Sequence, residues 1–183
     1  MSVTIVSGLY GGRRLDCPPG KAVRPMTARV KGAVFNILGA SVEGTRVLDL
    51  YAGSGGFGIE ALSRGADDCV FVEREEAHAK VLRANLVKLG IQARVFESPN
   101  EKAFQRLAGE SFDLVLMDPP FAEHPRALPL EVTADLQGLA ASGIWKGTLV
   151  LEHRRGKPEY PAGLVPYDLR DYGGASVAFF RAP

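Results

Sequence analysis

The chain has 183 residues, of which 46% are hydrophobic and 23% are charged, as is typical of one soluble globular domain. This length and composition exclude a fibrous repeat, a disordered chain and a small scaffold held together by disulfides. Two cysteines, Cys17 and Cys69, are too few for a disulfide framework or a zinc site and fit a reducing cytoplasm. Because the chain has neither a long apolar run nor an amino-terminal signal peptide, we expect a cytoplasmic protein that does not enter a membrane.

The formal net charge of +1 is unevenly distributed along the chain. Residues 1–38 carry six basic residues and one acid, Asp16, whereas residues 39–183 carry 16 basic and 20 acidic residues. The six basic residues are Arg13, Arg14, Lys21, Arg24, Arg29 and Lys31. A basic segment of this kind indicates contact with an anion, although a solvated basic face would have the same composition.

The first predicted elements are a hairpin and a helix. The segment from Val3 to Leu15, with a turn at Gly11-Gly12, predicts two short strands. Thr27 is a suitable N-cap for a helix that ends near Gly39. The apolar stripe of this helix consists of Val30, Val34, Phe35, Ile37 and Leu38. Arg29 and Lys31 lie off that stripe.

From Arg46 onward, strands and helices are predicted to alternate, which favours right-handed crossovers and a parallel sheet. The predicted strands are Val47–Tyr51, Cys69–Glu73, Ala93–Phe96, Phe112–Met117 and Thr148–Glu152. The predicted helices are Gly58–Arg64, Glu75–Leu89, Glu101–Leu107 and Leu128–Ala141. The last two predicted strands, Val165–Leu169 and Ser176–Arg181, are too close for a helix between them and predict a terminal antiparallel hairpin.

A glycine-rich loop follows the first strand of the alternating part. Gly53, Gly55 and Gly58 match the spacing G-x-G-x-x-G, and Glu73 follows Gly53 by twenty residues. This pattern predicts a site for an adenosine cofactor, with the glycines close to the ligand and the acid on the ribose hydroxyls. A tight turn without a ligand is the structural alternative. Asp49 precedes the loop, and a carboxylate there favours a cationic ligand over a pyrophosphate, unless it binds loop amides instead.

A second motif, Asp118-Pro119-Pro120-Phe121, directly follows the fourth strand of the alternating part. Because ligands of open α/β sheets bind beyond the carboxyl ends of strands, this motif and the glycine loop are predicted to face each other. The prolines remove two backbone donors, so the carboxylate and a proline carbonyl remain as acceptors for an exocyclic amine. Phe121 offers a flat face on which a base can stack.

These motifs resemble those of methyltransferases that act on exocyclic amines, whose signature is (Asn/Asp)-Pro-Pro-(Tyr/Phe). Three further segments narrow the resemblance to the bacterial family of 16S ribosomal RNA guanine-N2 methyltransferases of the small-subunit methyltransferase D type. They are Arg24–Lys31, Phe35–Leu38 and Glu60–Ala66. The resemblance implies a Rossmann-like, mostly parallel seven-stranded sheet with a carboxy-terminal antiparallel hairpin and a short amino-terminal hairpin-helix extension. It also implies S-adenosylmethionine as the methyl donor.

The same resemblance assigns residues to three roles. Catalysis is assigned to Asp118, Pro119, Pro120 and Phe121. Cofactor binding is assigned to Asp49, Tyr51, Ala52, Gly53, Ser54, Gly55, Glu73, Arg74, Asn100 and Asp118. Contact with the RNA is assigned to Arg13, Arg14, Arg24, Thr27, Arg29, Lys31 and Asn36. Asn36 could instead be an exposed helix residue with no role in RNA binding. Either Ser98 or Asn100 is predicted to contact the adenine.

The sequence departs from the family pattern at two places. Met26, Ala28 and Gly32 replace the residues that usually accompany the basic block, which affects the expected RNA contacts. Glu97-Ser98-Pro99-Asn100 follows the third strand of the alternating part, where the family often has an acid or amide followed by alanine. This second departure leaves the adenine-contacting residue undecided between Ser98 and Asn100.

The sequence therefore predicts one methyltransferase domain over residues 1–183, with residues 1–45 as a basic RNA-contacting extension. The expected partner is ribosomal RNA or the small ribosomal subunit, and we expect a monomer that needs no metal. Removal of residues 1–22 is expected to abolish RNA modification and to leave cofactor affinity intact. The alternatives are methylation of DNA adenine-N6 or another RNA amine, an NAD-dependent oxidoreductase, and a non-catalytic RNA-binding factor.

Overall fold

The computed structural model describes residues 2–18, 27–122 and 127–183. Its strands are β1 Ser2–Thr4, β2 Arg14–Asp16, β3 Arg46–Leu50, β4 Asp68–Glu73, β5 Arg94–Glu97, β6 Phe112–Met117, β7 Trp145–Arg154, β8 Asp168–Tyr172 and β9 Ala175–Arg181. Its α-helices are α1 Ala28–Leu38, α2 Gly56–Ser63, α3 Glu76–Leu89, α4 Asn100–Arg106 and α5 Leu130–Ser142. Within those ranges, no helix combines the length and the apolar character needed to cross a bilayer.

Seven strands form the central sheet in the order β5-β4-β3-β6-β7-β9-β8. In this order, the first five strands pair in parallel with their neighbours, and β9 pairs antiparallel with both β7 and β8. The chain order reverses between β3 and β6, so the carboxyl ends of these neighbours form the crevice where ligands of such sheets bind. The predicted fold class, including the terminal antiparallel hairpin, is confirmed.

The strands are apolar on both faces because helices cover the sheet from both sides. Successive residues of β3 illustrate this arrangement: Val47 belongs to the hydrophobic cluster on one face and Leu48 to the cluster on the other. Phe57 of α2 lies in the first cluster, and Leu136 of α5 lies in the second. Each strand end is therefore fixed between two packed layers, which makes the loops that follow the strands a rigid base for a site.

The amino-terminal hairpin forms a two-stranded sheet of its own, as predicted, with Val3 opposite Leu15. Ile5 and Leu15 are fully buried, in the same cluster as Phe35 of α1. The rings of Phe35 and Phe57 meet edge to face at 5.6 Å, which packs α1 on α2. The amino-terminal segment therefore shares the core of the sheet.

The terminal hairpin differs from its prediction at its first strand. β8 spans Asp168–Tyr172, whereas the sequence predicted Val165–Leu169. Pairing with β9 places Tyr172 opposite Ala175 and leaves a two-residue turn that begins at Gly173, whose φ is +61°. This tight turn sets the register of the hairpin, and Val165 lies before the strand with 79% of its surface exposed.

Candidate active site

A cavity of about 390 Å³ opens at the carboxyl ends of β3, β4 and β6. This volume lies within the range of small-molecule sites in proteins. Most residues that the sequence assigned to cofactor binding or catalysis line it, namely Asp49, Tyr51, Ala52, Gly53, Ser54, Glu73, Arg74, Asn100, Asp118, Pro119, Pro120 and Phe121. Leu50 pairs with Met117, so the two loops that follow these strands are adjacent, as the sequence predicted.

The glycine-rich loop is a tight turn between β3 and α2. Gly53 and Gly55 have φ values of +55° and +85°, which side chains other than glycine rarely allow. The amide of Gly55 donates to the carbonyl of Ala52 at 2.7 Å. The prediction for Gly55 needs correction: it is absent from the residues that line the cavity, and a Cβ on it would lie 2.4 Å from Cδ1 of Leu82. Gly55 serves packing behind the loop.

Glu73, at the end of the neighbouring strand β4, binds the loop directly. Its carboxylate accepts from the amide of Gly53 at 2.8 Å and from the amide of Glu75 at 2.9 Å. The side chain is 6% exposed, lines the cavity and has remaining acceptor capacity on both oxygens. His78 of α3, for which the sequence gave no functional signal, also lines the cavity, with Nδ1 3.8 Å from Oε1 of Glu73.

Asp49 on β3 gives the cavity its electrostatic character. Its carboxylate is 1% exposed and accepts from the amide of Gly58 at 2.8 Å. The pKa of Asp49 is raised to about 8, chiefly by burial and also by the negative charges of Asp118 and Glu73, while the Gly58 hydrogen bond opposes this shift. Three acids therefore converge here, so a ligand that carries positive charge is favoured electrostatically. Asp49 thus also binds an amide in the first turn of α2, just after the loop, which is close to the alternative role that the sequence left open.

The Asp-Pro-Pro-Phe motif leaves β6 along the opposite rim of the cavity. Pro119 is buried, Asp118 is half-buried, and Phe121 is 37% exposed. Arg154, at the end of β7, donates to the carbonyl of Ala122 at 3.3 Å and supports the chain just beyond the motif. The motif thus presents a carboxylate, a carbonyl and an open aromatic face beside the glycine loop.

Behind the cavity wall lies a polar network that the sequence did not predict. Asp135 of α5 accepts from the hydroxyl of Tyr51 and from Nδ2 of Asn100, the latter at 2.6 Å. Burial raises the pKa of Asp135, and these two hydrogen bonds lower it. Of the two candidates for adenine contact, Asn100 lines the cavity, whereas the hydroxyl of Ser98 is buried and has no hydrogen-bond partner among the described residues.

The amino-terminal segment forms another wall, where Val3 and Lys31 line the cavity. Lys31 is 1% exposed, and its ammonium group donates to the carbonyls of Thr4 and Gly56 and lies 3.2 Å from Oε2 of Glu60. Burial lowers the pKa of Lys31 below its ordinary value, and the negative charge of Glu60 partly opposes this shift. The prediction that Lys31 contacts RNA is therefore wrong, because all three donors are used inside the protein. Val3 also lines the cavity, so removal of residues 1–22, for which we expect cofactor affinity to stay intact, would take away part of the cavity wall.

The other residues assigned to RNA contact either are exposed on the same segment or lie outside the described residues. Those that are exposed are Arg13, Arg14, Thr27, Arg29 and Asn36. Thr27 also caps α1, because its hydroxyl accepts from the amide of Val30 at 3.3 Å. Arg24, also assigned to RNA contact, lies outside the described residues. Arg14 of β2 pairs with Thr4, one position from Val3, so β2 runs beside a wall of the cavity.

The similarity of this chain to known proteins covers almost its whole length. A family model described as Conserved hypothetical protein 95 matches residues 3–181. YlbH of Bacillus subtilis is 36% identical over 97% of this chain and 97% of its own. Ribosomal RNA small subunit methyltransferase D of Escherichia coli is 38% identical over 65% of this chain and 60% of the relative. The chain belongs to the ribosomal RNA small subunit methyltransferase D family.

Solved structures agree with this family assignment. The yhhF protein of Escherichia coli matches all of this methyltransferase D family member and 98% of its own chain, with a TM-score of 0.83 and 28% identity. A 16S rRNA N2 G1207 methyltransferase of Thermus thermophilus, in complex with AdoMet and guanosine, matches it with a TM-score of 0.78. That match is 23% identical and covers 50% of the longer chain, so it supports the methyltransferase fold alone.

Proposed function

We propose that this protein transfers a methyl group from S-adenosylmethionine to the exocyclic N2 amine of a guanine in 16S ribosomal RNA. The observation that carries the proposal is the position of the Asp-Pro-Pro-Phe motif and the glycine-rich loop on one cavity. The first motif suits an aromatic base with an amine, and the second suits an adenosine cofactor. The small-subunit substrate is supported by the name of the Escherichia coli relative.

The chemistry of the cavity fits S-adenosylmethionine. Glu73, with free acceptor capacity, suits the two ribose hydroxyls, and the turn at Gly53 allows close approach of the ligand. The converging carboxyl groups of Asp49, Glu73 and Asp118 suit a ligand with a sulfonium and an amino group, whereas they oppose the pyrophosphate of NAD. When bound, S-adenosylmethionine supplies an electrophilic methyl group, so the protein needs to position and orient the amine.

Asp118 and the carbonyl of Pro119 are the acceptors for the amine. A guanine N2 lone pair is delocalised into the ring and is a poor nucleophile. Hydrogen bonds from both N–H groups to these acceptors draw the hydrogens out of the ring plane, which localises the lone pair on nitrogen. As the nitrogen forms its bond to the methyl carbon, positive charge develops on it, and the Asp118 carboxylate stabilises that charge and accepts the released proton. Phe121 holds the base by stacking.

RNA binding is assigned to the amino-terminal extension, residues 1–45 of a single domain over residues 1–183. Arg13, Arg14 and Arg29 are exposed on this segment, and the hairpin lies against the cavity through Val3. Arginines on such a surface bind phosphates without reading sequence, and they orient the substrate while the cavity selects the base. The target base must leave its stack to reach Asp118.

The test offers the purified protein radiolabelled S-adenosylmethionine with four acceptors: unmethylated small subunits, free 16S RNA, 23S RNA and duplex DNA. We expect methyl transfer to the small-subunit substrate, with N2-methylguanosine as the product in nucleoside mass spectrometry. The same nucleoside should be depleted from 16S RNA of cells that lack the gene. Transfer to DNA, formation of N6-methyladenosine, or an unchanged N2-methylguanosine content in those cells would contradict the proposal.

A further inference from the structure

The network around Asp135 connects two residues of the cavity wall to one carboxylate behind it. Asp135 is 8% exposed and does not itself line the cavity, whereas Tyr51 and Asn100 do. Both residues donate to the same oxygen, Oδ2 of Asp135. Tyr51 follows β3, Asn100 begins α4 and Asp135 lies in α5, so the carboxylate links three separate segments of the site.

The carboxylate determines which way the amide of Asn100 faces. An ionised carboxylate is only an acceptor, so the NH₂ end of the amide must point toward Asp135. The carbonyl oxygen of Asn100 is therefore directed away from Asp135. Asn100 is itself 8% exposed at the cavity wall, which leaves this oxygen as an acceptor for a ligand in the cavity.

Tyr51 has an unfavourable backbone conformation that its contacts in this network stabilise. Its φ is +60°, in the left-handed region, which is rare for a bulky side chain and unfavourable without compensating contacts. Its hydroxyl is held by Asp135, and its ring packs against the buried cluster of the α5 face. The carboxylate thus fixes both the start of the glycine loop and the amide of Asn100.

Helix α5 carries two acids on the side that faces the cavity, Glu131 and Asp135, which are one turn apart. Like charges at this spacing disfavour a helix unless each has a partner. Glu131 pairs with Arg74 at the mouth of the cavity, and Asp135 has the two neutral donors behind the wall. Glu131 is thus neutralised by a cation, whereas Asp135 orients two neutral residues of the cavity wall, Tyr51 and Asn100.

We propose that Asp135 is a positioning residue that holds the carbonyl oxygen of Asn100 toward the cavity and so selects a cofactor with a hydrogen-bond donor on its purine, as in adenine. This proposal rests on the proposed function, because it concerns the base of the same cofactor. The proposal predicts that the protein distinguishes two kinds of purine ligand. A purine with an exocyclic amine donates to the carbonyl oxygen of Asn100, whereas a purine with an exocyclic carbonyl at the same place is repelled by that oxygen.

The experiment compares the affinities of S-adenosylhomocysteine and S-inosylhomocysteine, which carry an amine and a carbonyl at position 6, by isothermal titration calorimetry. We expect the wild-type protein to prefer the adenosyl compound by at least about tenfold, since a mismatched ligand leaves a buried acceptor unpaired. In Asp135→Asn, the new amide can donate to Asn100, so either orientation becomes possible and the preference should fall to about threefold or less. Asp168→Asn removes a carboxylate from edge strand β8 and should keep the wild-type preference.

Asn100→Ala keeps the test decisive if Asp135→Asn does not fold, as judged by circular dichroism. It removes the acceptor and should abolish the preference, whereas the Asp168→Asn control should keep it. An unchanged preference in Asp135→Asn or in Asn100→Ala would overturn the role of Asp135, as would a wild-type protein that binds both compounds equally. If the wild-type protein binds neither compound, the proposed function itself fails.

Discussion

Two buried carboxylates lie behind opposite walls of the cavity, and their partners differ in charge. Glu60 of α2 is fully buried and pairs with the cations Lys31 and Arg64. It also accepts from the backbone amides of Val6 and Ser7, at 2.7 and 3.1 Å. Asp135, by contrast, has two hydrogen-bond partners that are neutral, a phenol and an amide.

The difference shows how the two sides of the cavity are stabilised. The amino-terminal wall depends on compensated charge, which attaches residues 2–7 and α1 to α2 and leaves no donor of Lys31 for a ligand. The wall next to α5 depends on Tyr51 and Asn100, two neutral donors that also line the cavity. Damage to the first side should therefore appear as lost stability, and damage to the second side as changed binding or catalysis.

The largest expected effect is on the charged side. Glu60→Leu leaves the ammonium of Lys31 buried without its anion, and we expect the free energy of unfolding to fall by about 3–5 kcal/mol. Denaturant unfolding followed by circular dichroism measures this loss. The control Glu101→Gln, on the exposed face of α4, should change the free energy of unfolding by less than about 0.5 kcal/mol. A loss below about 1 kcal/mol for Glu60→Leu would show that the charge cluster does not hold the amino-terminal wall.

The next effect should be on catalysis without a comparable loss of stability. Asp118→Ala removes one preorganised acceptor, and we expect the methyl-transfer rate to fall at least about a hundredfold. Affinity for S-adenosylhomocysteine, which has no sulfonium, should change far less than the rate, because the variant retains Glu73 and the glycine loop. Single-turnover methyl transfer and calorimetric binding measure the two quantities separately. Near-normal turnover in this variant would remove Asp118 from the mechanism.

The smallest effect concerns the pH dependence of cofactor binding. Asp49, with a pKa of about 8, is mostly protonated in the free protein at neutral pH, and a cationic ligand favours its charged form. Binding should therefore release a proton, so affinity for S-adenosylmethionine, which carries the sulfonium, should rise from pH 6.5 to 8 by at most about tenfold per unit. The charges of Lys31, Glu73 and Asp118 act on the same carboxylate.

Calorimetry in buffers of different ionisation enthalpy measures the released proton directly. Asp49→Asn cannot titrate and should lose the pH dependence between pH 6.5 and 8, while it keeps a hydrogen bond from the amide of Gly58. An equal slope in the wild-type protein and in Asp49→Asn would assign the effect to another group.

Features that depend only on residues close together in the chain could be predicted from the sequence. The apolar runs and the alternation of strands and helices were sufficient for the sheet, because a strand buried on both faces has few polar positions. The two loops of the site were found for the same reason, since each is contiguous in the chain and directly follows a strand. The start of β8 was missed because its register depends on pairing with β9 and on the turn at Gly173.

The error at Lys31 has a different physical origin. A lysine off the apolar stripe of a helix is usually solvated, and the basic composition of its segment supported RNA contact. Its partner Glu60 is 29 residues away in the sequence and lies on another helix, so the pair is formed only when α1 packs on α2. Asp135 and His78 were missed similarly, because their partners in the site lie on other elements of the fold.

The sequence by itself determined the fold class, the strand ends that carry the site, and the chemical character of its two loops, because each follows from local residue types. Tertiary structure alone decided which charged residues face the cavity and which are used inside the protein. A carboxylate, an ammonium or an amide has a definite role only when its hydrogen-bond partners are known. For Lys31, Asn100 and Asp135 those partners come from distant parts of the chain.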